Sequence, residues 1–146
     1  DGSQLAACSH QPGMRLGGTR PAQGPRPVYE VDVGDMCWLW QRAPLEGIGR
    51  VTLTVERLTW RFGDEAKDAV VRAKISAAGE FEIHADSCTG PRLATLTLPP
   101  VAPPGQVSLS ASIPTPTPNG VRNLCIFATG DPRDGQWALA RVTFSN

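Results

Sequence analysis

Glycine and proline interrupt this chain so often that only short elements of secondary structure fit between them. The sequence contains 15 Gly and 14 Pro among its 146 residues. Proline breaks the interior of helices, and both residues favour turns. No stretch of about a dozen residues or more shows good helical periodicity. The pattern therefore favours short strands joined by turns.

Alternation of apolar and polar residues predicts where the strands lie. The clearest case is Arg50–Leu58, in which Val51, Leu53 and Val55 point to one face and the residues between them point to the other. Further segments with strand patterns are Leu5–Cys8, Met14–Leu16, Val28–Val33, Cys37–Trp40, Val70–Ile75, Glu80–Ala85, Leu93–Leu98, Val107–Ile113, Arg122–Thr129 and Trp137–Phe144. Such spacing predicts an all-β fold, a β-sandwich, as a single domain over residues 1–146, with the loop-rich segment 1–27 packed on it.

Length and charge exclude several classes of protein. A chain of 146 residues suits one domain. Its 14 Lys and Arg balance 14 Asp and Glu, which argues against an electrostatic grip on nucleic acid or anionic lipid. No apolar run approaches the roughly 20 residues that span a bilayer. Because the chain begins at Asp1 rather than Met, we expect a processed mature chain or an excised domain.

Four cysteines, Cys8, Cys37, Cys88 and Cys125, form no CxxC motif, which argues against a zinc ribbon. An even number in a chain rich in Gly and Pro favours disulfides and an oxidising compartment, so we expect a secreted or periplasmic protein. Of the three possible pairings, we expect Cys8–Cys37 and Cys88–Cys125, because each joins segments that should be neighbours in a sandwich. The alternative is four buried free thiols in a cytosolic domain.

Signatures of catalysis are missing from the sequence. It contains no GxSxG, HExxH, Walker or GxGxxG motif. We expect structural roles for the two histidines, His10 and His84, and a metal site of Cys8, His10 and Cys37 would lack a fourth ligand. No catalytic residue, metal or other cofactor is therefore predicted.

Paired acids are the one feature that would suit a hydrolase. A glycosidase needs two carboxylates that flank the scissile bond. The candidate pairs are Asp64 with Glu65, Glu80 with Glu82, and Asp131 with Asp134. Acids of this kind are common in solvated turns, and the loop Asp131–Gly135 alone supplies too few oxygens for a calcium site. We therefore expect no enzymatic activity.

Tryptophan is a better guide to function than the acids. Sugars stack their apolar faces on aromatic rings, while acids and Arg bind their hydroxyl groups. Trp60 follows the clearest strand, and Trp137 opens the last one, so both lie beside loops. We predict that these two rings stack on a sugar. The residues predicted to bind its hydroxyl groups are Arg61, Asp64, Asp131 and Arg133.

The alternative is that all four tryptophans pack inside the sandwich. Trp38 and Trp40 are two residues apart on one predicted strand and share a face, so at least one should belong to the core.

Two segments resemble family 6-type carbohydrate-binding modules. They are GEFEIHADSCTGPRLATLTLP (Gly79–Pro99) and NLCIFATGDPRDGQWALARVTF (Asn123–Phe144). The resemblance implies a galactose-binding-like β jelly roll. In those modules the final strand carries an Asp that often binds structural calcium, but Ala140 stands there in this chain. A calcium site of that type would therefore lack one of its ligands.

The order of motifs along the whole chain resembles the C-terminal β-domain of some bacterial family 20 glycoside hydrolases, the β-N-acetylhexosaminidases. The matching motifs are Cys8, CWLW (37–40), LTWRFGD (58–64), DSCTG (86–90) and NLCIF (123–127). In those enzymes the catalytic Asp–Glu pair lies in a separate barrel that these residues do not include.

The resemblance implies a non-catalytic carbohydrate-binding or accessory module associated with a glycoside hydrolase. Its partners would be a glycan, with N-acetylglucosamine-containing oligosaccharides as candidates, and a linked catalytic domain. The alternative is a structural or protein-docking domain in which Trp60-Arg61-Phe62 packs on a catalytic partner and no glycan binds.

Overall fold

A computed structural model describes residues 5–8, 14–17, 28–31, 35–45, 47–57, 70–99, 107–113, 121–131 and 136–145. For residues 14–17, 28–31 and 121 only the backbone is described. The described residues form strands, turns and bends, with no helix among them. No segment of this part of the chain is therefore a helix that could cross a membrane.

In the part of the chain that the structure describes, ten strands form two antiparallel sheets of five strands each. The first sheet has the order β1-β4-β9-β6-β7, with β1 Leu5–Ala7, β4 Cys37–Pro44, β9 Val121–Ala128, β6 Glu80–Ala85 and β7 Arg92–Thr97. The second has the order β2-β3-β10-β5-β8, with β2 Met14–Gly17, β3 Val28–Val31, β10 Trp137–Ser145, β5 Arg50–Arg57 and β8 Val107–Ser112. The predicted all-β sandwich is confirmed.

The predicted N-terminal segment contributes one short strand to each sheet. β1 pairs with β4, and β2 pairs with β3. Most of residues 1–27 lies outside the described residues, so the prediction that this whole segment packs on one domain stays a prediction.

One predicted strand, Val70–Ile75, is wrong. The segment has no regular structure before a bend at Ile75, and its only ladder contact among the described residues is a single bridge between Arg72 and Gly130. Val70, Val71 and Ile75 are exposed, so burial of apolar side chains does not hold this segment. It is held instead by the hydrogen bonds of Arg72 with Asp35 and of the Ile75 N–H with Glu80.

The core lies between the sheets and follows the alternation of the strands. Val51, Leu53 and Val55 of β5 are fully buried, as predicted, and so are Phe81 and Ile83 of β6. Burying side chains of this size stabilises the fold by roughly 1.5–3 kcal/mol each relative to leaving them exposed.

Three aromatic rings join the two sheets at the centre of this core. Trp38 of the first sheet stacks on Phe81 at 5.9 Å between ring centroids. Trp137 of the second sheet meets Phe81 edge-on at 6.2 Å. Such offset and edge-to-face arrangements are favourable beyond the area they bury. The aromatic contact therefore sets the distance between the sheets on this side of the sandwich.

Both predicted disulfides are present. Cys8 is bonded to Cys37, and Cys88 is bonded to Cys125. They lie on the face of the first sheet that points away from the core, together with Phe127. We call this surface the outer face. The bridges connect β1 to β4 and the β6–β7 turn to β9, so they tie strands that are distant in sequence.

The β6–β7 turn, DSCTG, owes its sequence to a tight backbone path. Asp86 has a positive φ of 72°, and its carboxylate pairs with Arg122, which lowers the pKa of Asp86 through a hydrogen bond from the guanidinium. At Gly90, an added Cβ would lie 1.9 Å from the carbonyl oxygen of Ala85. Only glycine fits this close approach of backbone to backbone.

We therefore expect Gly90→Ala to be destabilising. The methyl group cannot enter without displacing the turn and the attached Cys88, and overpacking of this kind costs roughly 1–3 kcal/mol. Urea denaturation of the oxidised protein measures the change in the free energy of unfolding. The matched control is Thr89→Ala in the same turn, where the side chain is exposed. Equal stability of the two variants would contradict the packing argument.

Candidate functional site

Strand ends of both sheets lie together at one end of the sandwich. Arg57, the last residue of β5, pairs with Trp137, the first residue of β10. Arg72 bridges to Gly130, beside Asp131. The segments 58–69 and 132–135, which carry most of the predicted binding residues, lie outside the described residues, and in sequence they follow Arg57 and Asp131. We call the described residues Met36, Arg57, Arg72, Asp131 and Trp137 the loop end.

Met36 links the two sheets at the loop end. Its carbonyl oxygen accepts a hydrogen bond from the Ala128 N–H at 2.9 Å, and its sulfur accepts one from the Trp137 N–H at 3.3 Å. Met36 is fully buried with a positive φ of 53°, an uncommon conformation for a residue with a long side chain. The backbone at the loop end is therefore held by contacts with both sheets.

Of the six residues predicted to bind a sugar, the structure describes Asp131 and Trp137. Trp60, Arg61, Asp64 and Arg133 lie outside the described residues. Asp131 is described and is half-buried directly after the Gly130 bridge. Its position at the loop end is the one predicted for a residue that would bind sugar hydroxyls, and the role itself stays a prediction.

Trp137 does not have the environment of a sugar-stacking residue. Its side chain is 5% exposed and contacts Phe81 in the core. A ring in this position offers no free face to a ligand. Because Trp137 follows a loop in sequence, its ring was predicted to be exposed. Trp137 is instead the first residue of β10, and its side chain points into the core, where its large apolar surface is removed from water.

Two other tryptophans also pack inside the sandwich. Trp38 is 1% exposed, and its indole Nε1 has no hydrogen-bond partner among the described residues. Trp40 is half-buried and stacks on Phe144 at 5.2 Å. Trp38, Trp40 and Trp137 thus follow the alternative in which tryptophan forms the core. Trp60 is left as the candidate stacking residue.

An aromatic and charged cluster on the outer face was not anticipated from the sequence. The guanidinium of Arg72 lies 4.8 Å from the centroid of the Phe127 ring. It also donates to the Asp35 carboxylate at 2.6 Å and to the Asp35 carbonyl at 2.5 Å. Cation–π contact and a part-buried ion pair act on one side chain, so Arg72 fixes its segment against β9. No local pattern could reveal this, because Arg72 is distant in sequence from both partners.

His84 covers the same phenylalanine. Its ring stacks on Phe127 with 5.2 Å between centroids. One ring nitrogen lies 2.9 Å from a Glu82 carboxylate oxygen, and the other lies 2.8 Å from the Gly90 carbonyl oxygen. Both nitrogens are engaged, so the arrangement suits the structural role predicted for His84.

Glu80 is the most constrained acid of the described residues. It is 1% exposed, and its carboxylate accepts hydrogen bonds from the Ser76 hydroxyl, the Thr129 hydroxyl and the backbone amides of Ile75 and Ser76. Burial raises the pKa of Glu80, but these hydrogen bonds lower it more, so the pKa lies below its ordinary value of 4.5. The ionised carboxylate of Glu80 thus connects the turn at residues 75–79 to Thr129. A proton donor for glycoside cleavage needs the opposite shift.

We expect Glu80→Gln to lower stability at neutral pH by roughly 1–3 kcal/mol, because an amide cannot accept all of these hydrogen bonds. Since the pKa of folded Glu80 is depressed, its contribution is present above pH 4.5 and is lost as the pH falls through the folded value. The stability difference between wild type and variant should therefore shrink in acid. Urea denaturation from neutral pH into the acid range measures it.

The matched control is Glu82→Gln, two residues along the same strand, where the carboxylate contacts His84 rather than backbone amides. If the stability difference between wild type and Glu80→Gln is the same at every pH, the ionised form of Glu80 does not provide the stabilisation.

Comparison with known proteins identifies the fold. No protein-family model and no curated protein matches this sequence. Among solved structures, a family 6 carbohydrate-binding module from Clostridium cellulolyticum in complex with xylose aligns with a TM-score of 0.60 and 16% identity, over 92% of this chain and 87% of that one. A β-1,3-glucan-binding family 6 module from Bacillus halodurans aligns with a TM-score of 0.60 and 14% identity, over 92% of this chain and 86% of the module.

A larger enzyme contains the same fold as one part. The family 43 arabinoxylan arabinofuranohydrolase from Bacillus subtilis, in complex with cellotetraose, aligns with a TM-score of 0.64 and 13% identity. The alignment covers 92% of this chain but 24% of the enzyme. At these identities the comparisons establish the fold. This chain therefore shares its β-sandwich with family 6 carbohydrate-binding modules.

Proposed function

We propose that this chain is a non-catalytic carbohydrate-binding module. The observation that carries the proposal is the likeness of the whole fold to family 6 modules, one of which has xylose in its structure and another of which is described as binding β-1,3-glucan. The alignments extend over nearly the full length of both partners, so they compare complete sandwiches rather than a shared strand pair.

The proposed binding site is at the loop end. The strand termini at Arg57 and Trp137 are paired, and the chain enters and leaves the segments 58–69 and 132–135 from this end. Trp60 would stack on a sugar ring, and Arg61, Asp64, Asp131 and Arg133 would bind its hydroxyl groups. A rigid sandwich with binding residues on its loops is the usual arrangement in binding domains.

We further propose that the chain serves as the accessory domain of a glycoside hydrolase outside the cytoplasm. The two disulfides support an oxidising compartment. The family 43 enzyme provides a precedent for the fold as a minor part of a longer hydrolase. The association with a family 20 hexosaminidase, and with N-acetylglucosamine as the ligand, depends on the sequence resemblance.

Isothermal titration tests glycan binding and distinguishes the ligands. The probes are xylo-, cello-, β-1,3-gluco- and chito-oligosaccharides, added to the oxidised chain. We expect heat of binding with at least one series. Because loss of a stacking ring removes about 1.4 kcal/mol, Trp60→Ala should weaken binding roughly tenfold or more.

The control for this substitution is Trp40→Phe, which keeps an aromatic ring against Phe144 and should leave affinity unchanged. Both variants are first compared with wild type in urea denaturation, so that loss of fold is not read as loss of binding. Absence of heat with all four series, together with unchanged Trp fluorescence, would refute glycan binding.

A second candidate function is docking onto a protein, favoured by exposed apolar side chains next to Arg72 of the loop end. Val70, Val71 and Ile75 are 44%, 54% and 79% exposed, and all lie within six residues of one another in sequence. Contiguous exposed apolar surface commonly marks interaction sites. This segment differs from the one predicted to dock, Trp60-Arg61-Phe62, which lies outside the described residues.

Titration with separately produced family 20 and family 43 catalytic domains tests docking. Ile75→Ser should weaken docking and leave glycan binding intact, whereas Trp60→Ala should do the reverse. Binding to neither catalytic domain would count against docking.

A further inference from the structure

The two disulfides bring all four cysteine sulfurs into one cluster. The sulfur of Cys37 lies 3.6 Å from that of Cys88 and 3.6 Å from that of Cys125, although neither is its disulfide partner. All four sulfur atoms lie within 4.8 Å of one another. We call this group the sulfur cluster. Two disulfides would tie the strands equally well if they were far apart, so their proximity calls for a separate explanation.

We propose that the sulfur cluster, when both disulfides are reduced, binds one Zn²⁺ or a similar soft divalent metal through four thiolates. Zinc–sulfur bonds are about 2.3 Å long, which places the sulfurs of a tetrahedral site about 3.8 Å apart. The contacts of Cys37 with Cys88 and Cys125 already match this separation. The remaining separations are within 4.8 Å, and the sulfurs of the two broken disulfides would move apart by side-chain rotation about the Cα–Cβ bonds.

The backbone around the cluster is positioned without the disulfides. Cys37 and Cys125 lie on adjacent paired strands, in which Cys37 is opposite Phe127 and Leu39 is opposite Cys125. The two cysteines are therefore diagonal neighbours on one face. Cys8 donates its N–H to the Cys37 carbonyl oxygen at 3.1 Å.

The turn that carries Cys88 is held by a partner of its own. His84, which is paired with Cys125 across the ladder, contacts the Gly90 carbonyl oxygen at the end of that turn. Sheet and turn hydrogen bonds thus place all four cysteines near one point.

Burial gives the cluster an inner half and an outer half. Cys37 and Cys125 are fully buried, while Cys8 and Cys88 are half-buried. The inner pair would fix the metal on the sheet, and the outer pair would close over it from the solvent side. A metal ion and a reductant can therefore reach the site from one direction.

The chemistry of the donors selects the metal. Thiolates favour zinc and other soft ions, whereas calcium and magnesium require oxygen ligands. A zinc ribbon takes its ligands from CxxC pairs that are close in sequence, and this chain has none. Here the sandwich brings together cysteines separated by 29 and 37 residues within each disulfide, so local spacing carries no signal of the site.

Reduction of two disulfides to four thiols consumes four electrons and four protons. A phosphine reductant supplies two electrons per disulfide and becomes a phosphine oxide with oxygen from water. Binding of the metal then forms four metal–sulfur bonds and releases four protons to solvent, with no change in the oxidation state of the metal.

The test uses the full chain, reduced with a water-soluble phosphine under anaerobic conditions and titrated with Co²⁺. We expect saturation at one Co²⁺ per chain, with the visible absorption of tetrahedral cobalt and thiolate-to-cobalt charge transfer. Zn²⁺ should then displace Co²⁺ stoichiometrically. Near-ultraviolet circular dichroism reports whether the metal restores or maintains native packing of the core tryptophans.

Two variants separate this site from adventitious binding. Cys88→Ser with Cys125→Ser keeps Cys8 and Cys37 but removes two of the four thiolates, and it should weaken binding by more than the roughly 10–100-fold typical of losing an outer-shell partner. Ile75→Ser changes an exposed side chain outside the sulfur cluster, keeps all four thiols, and should bind one metal with the same spectrum. The oxidised wild-type chain should bind none.

The proposal is overturned if the reduced chain gives an octahedral cobalt spectrum. Equal affinity of the double serine variant, or loss of the site in Ile75→Ser alone, overturns it as well. A reduced chain that loses native dichroism and does not regain it with Co²⁺ or Zn²⁺ also refutes the site. None of these results depends on glycan binding, so failure of this site leaves the proposed function untouched.

Discussion

The contact of Trp137 with Phe81 is the interaction on which the arrangement of this protein depends. Each ring comes from a different sheet, and each is buried. Aromatic side chains bury about 150–250 Å² each, so this contact contributes much of the apolar surface that holds the sheets together. It also places the first residue of β10 against the end of β5 at Arg57. The loop end is therefore joined to the core by this aromatic contact.

The outer face of the first sheet is organised by different forces. Phe127 is 7% exposed although it lies on the side away from the core, because Arg72 and His84 lie over its ring. The two disulfides continue this layer beside it. A face covered in this way offers no bare aromatic platform for a sugar. The proposed glycan site is therefore at the loop end and not on the outer face. The outer face stabilises the first sheet and carries the sulfur cluster.

The sequence predicted those features that depend on local pattern. Strict alternation in β5 identified its buried residues, and the expectation that bonded cysteines lie on neighbouring segments identified both disulfides. Predictions failed where a distant residue decides the outcome. Val70 and Val71 look like strand residues, but their neighbour Arg72 is held by distant residues, through a single bridge to Gly130 and an ion pair with Asp35. Proximity of Trp137 to a loop in sequence did not reveal that its ring points inward.

The same distinction explains why a shared fold leaves the ligand open. An alternating core tolerates many apolar substitutions of similar volume, so sandwiches with 13–16% identity keep the same fold. Residues that bind a ligand follow no regular spacing along the sequence, so the pattern that predicts the core does not predict them. Ala140, where the sequence resemblance implies an acidic calcium ligand, is buried. Under the proposed function, the choice of sugar would be set by residues such as Trp60 and Asp131, which the core does not dictate.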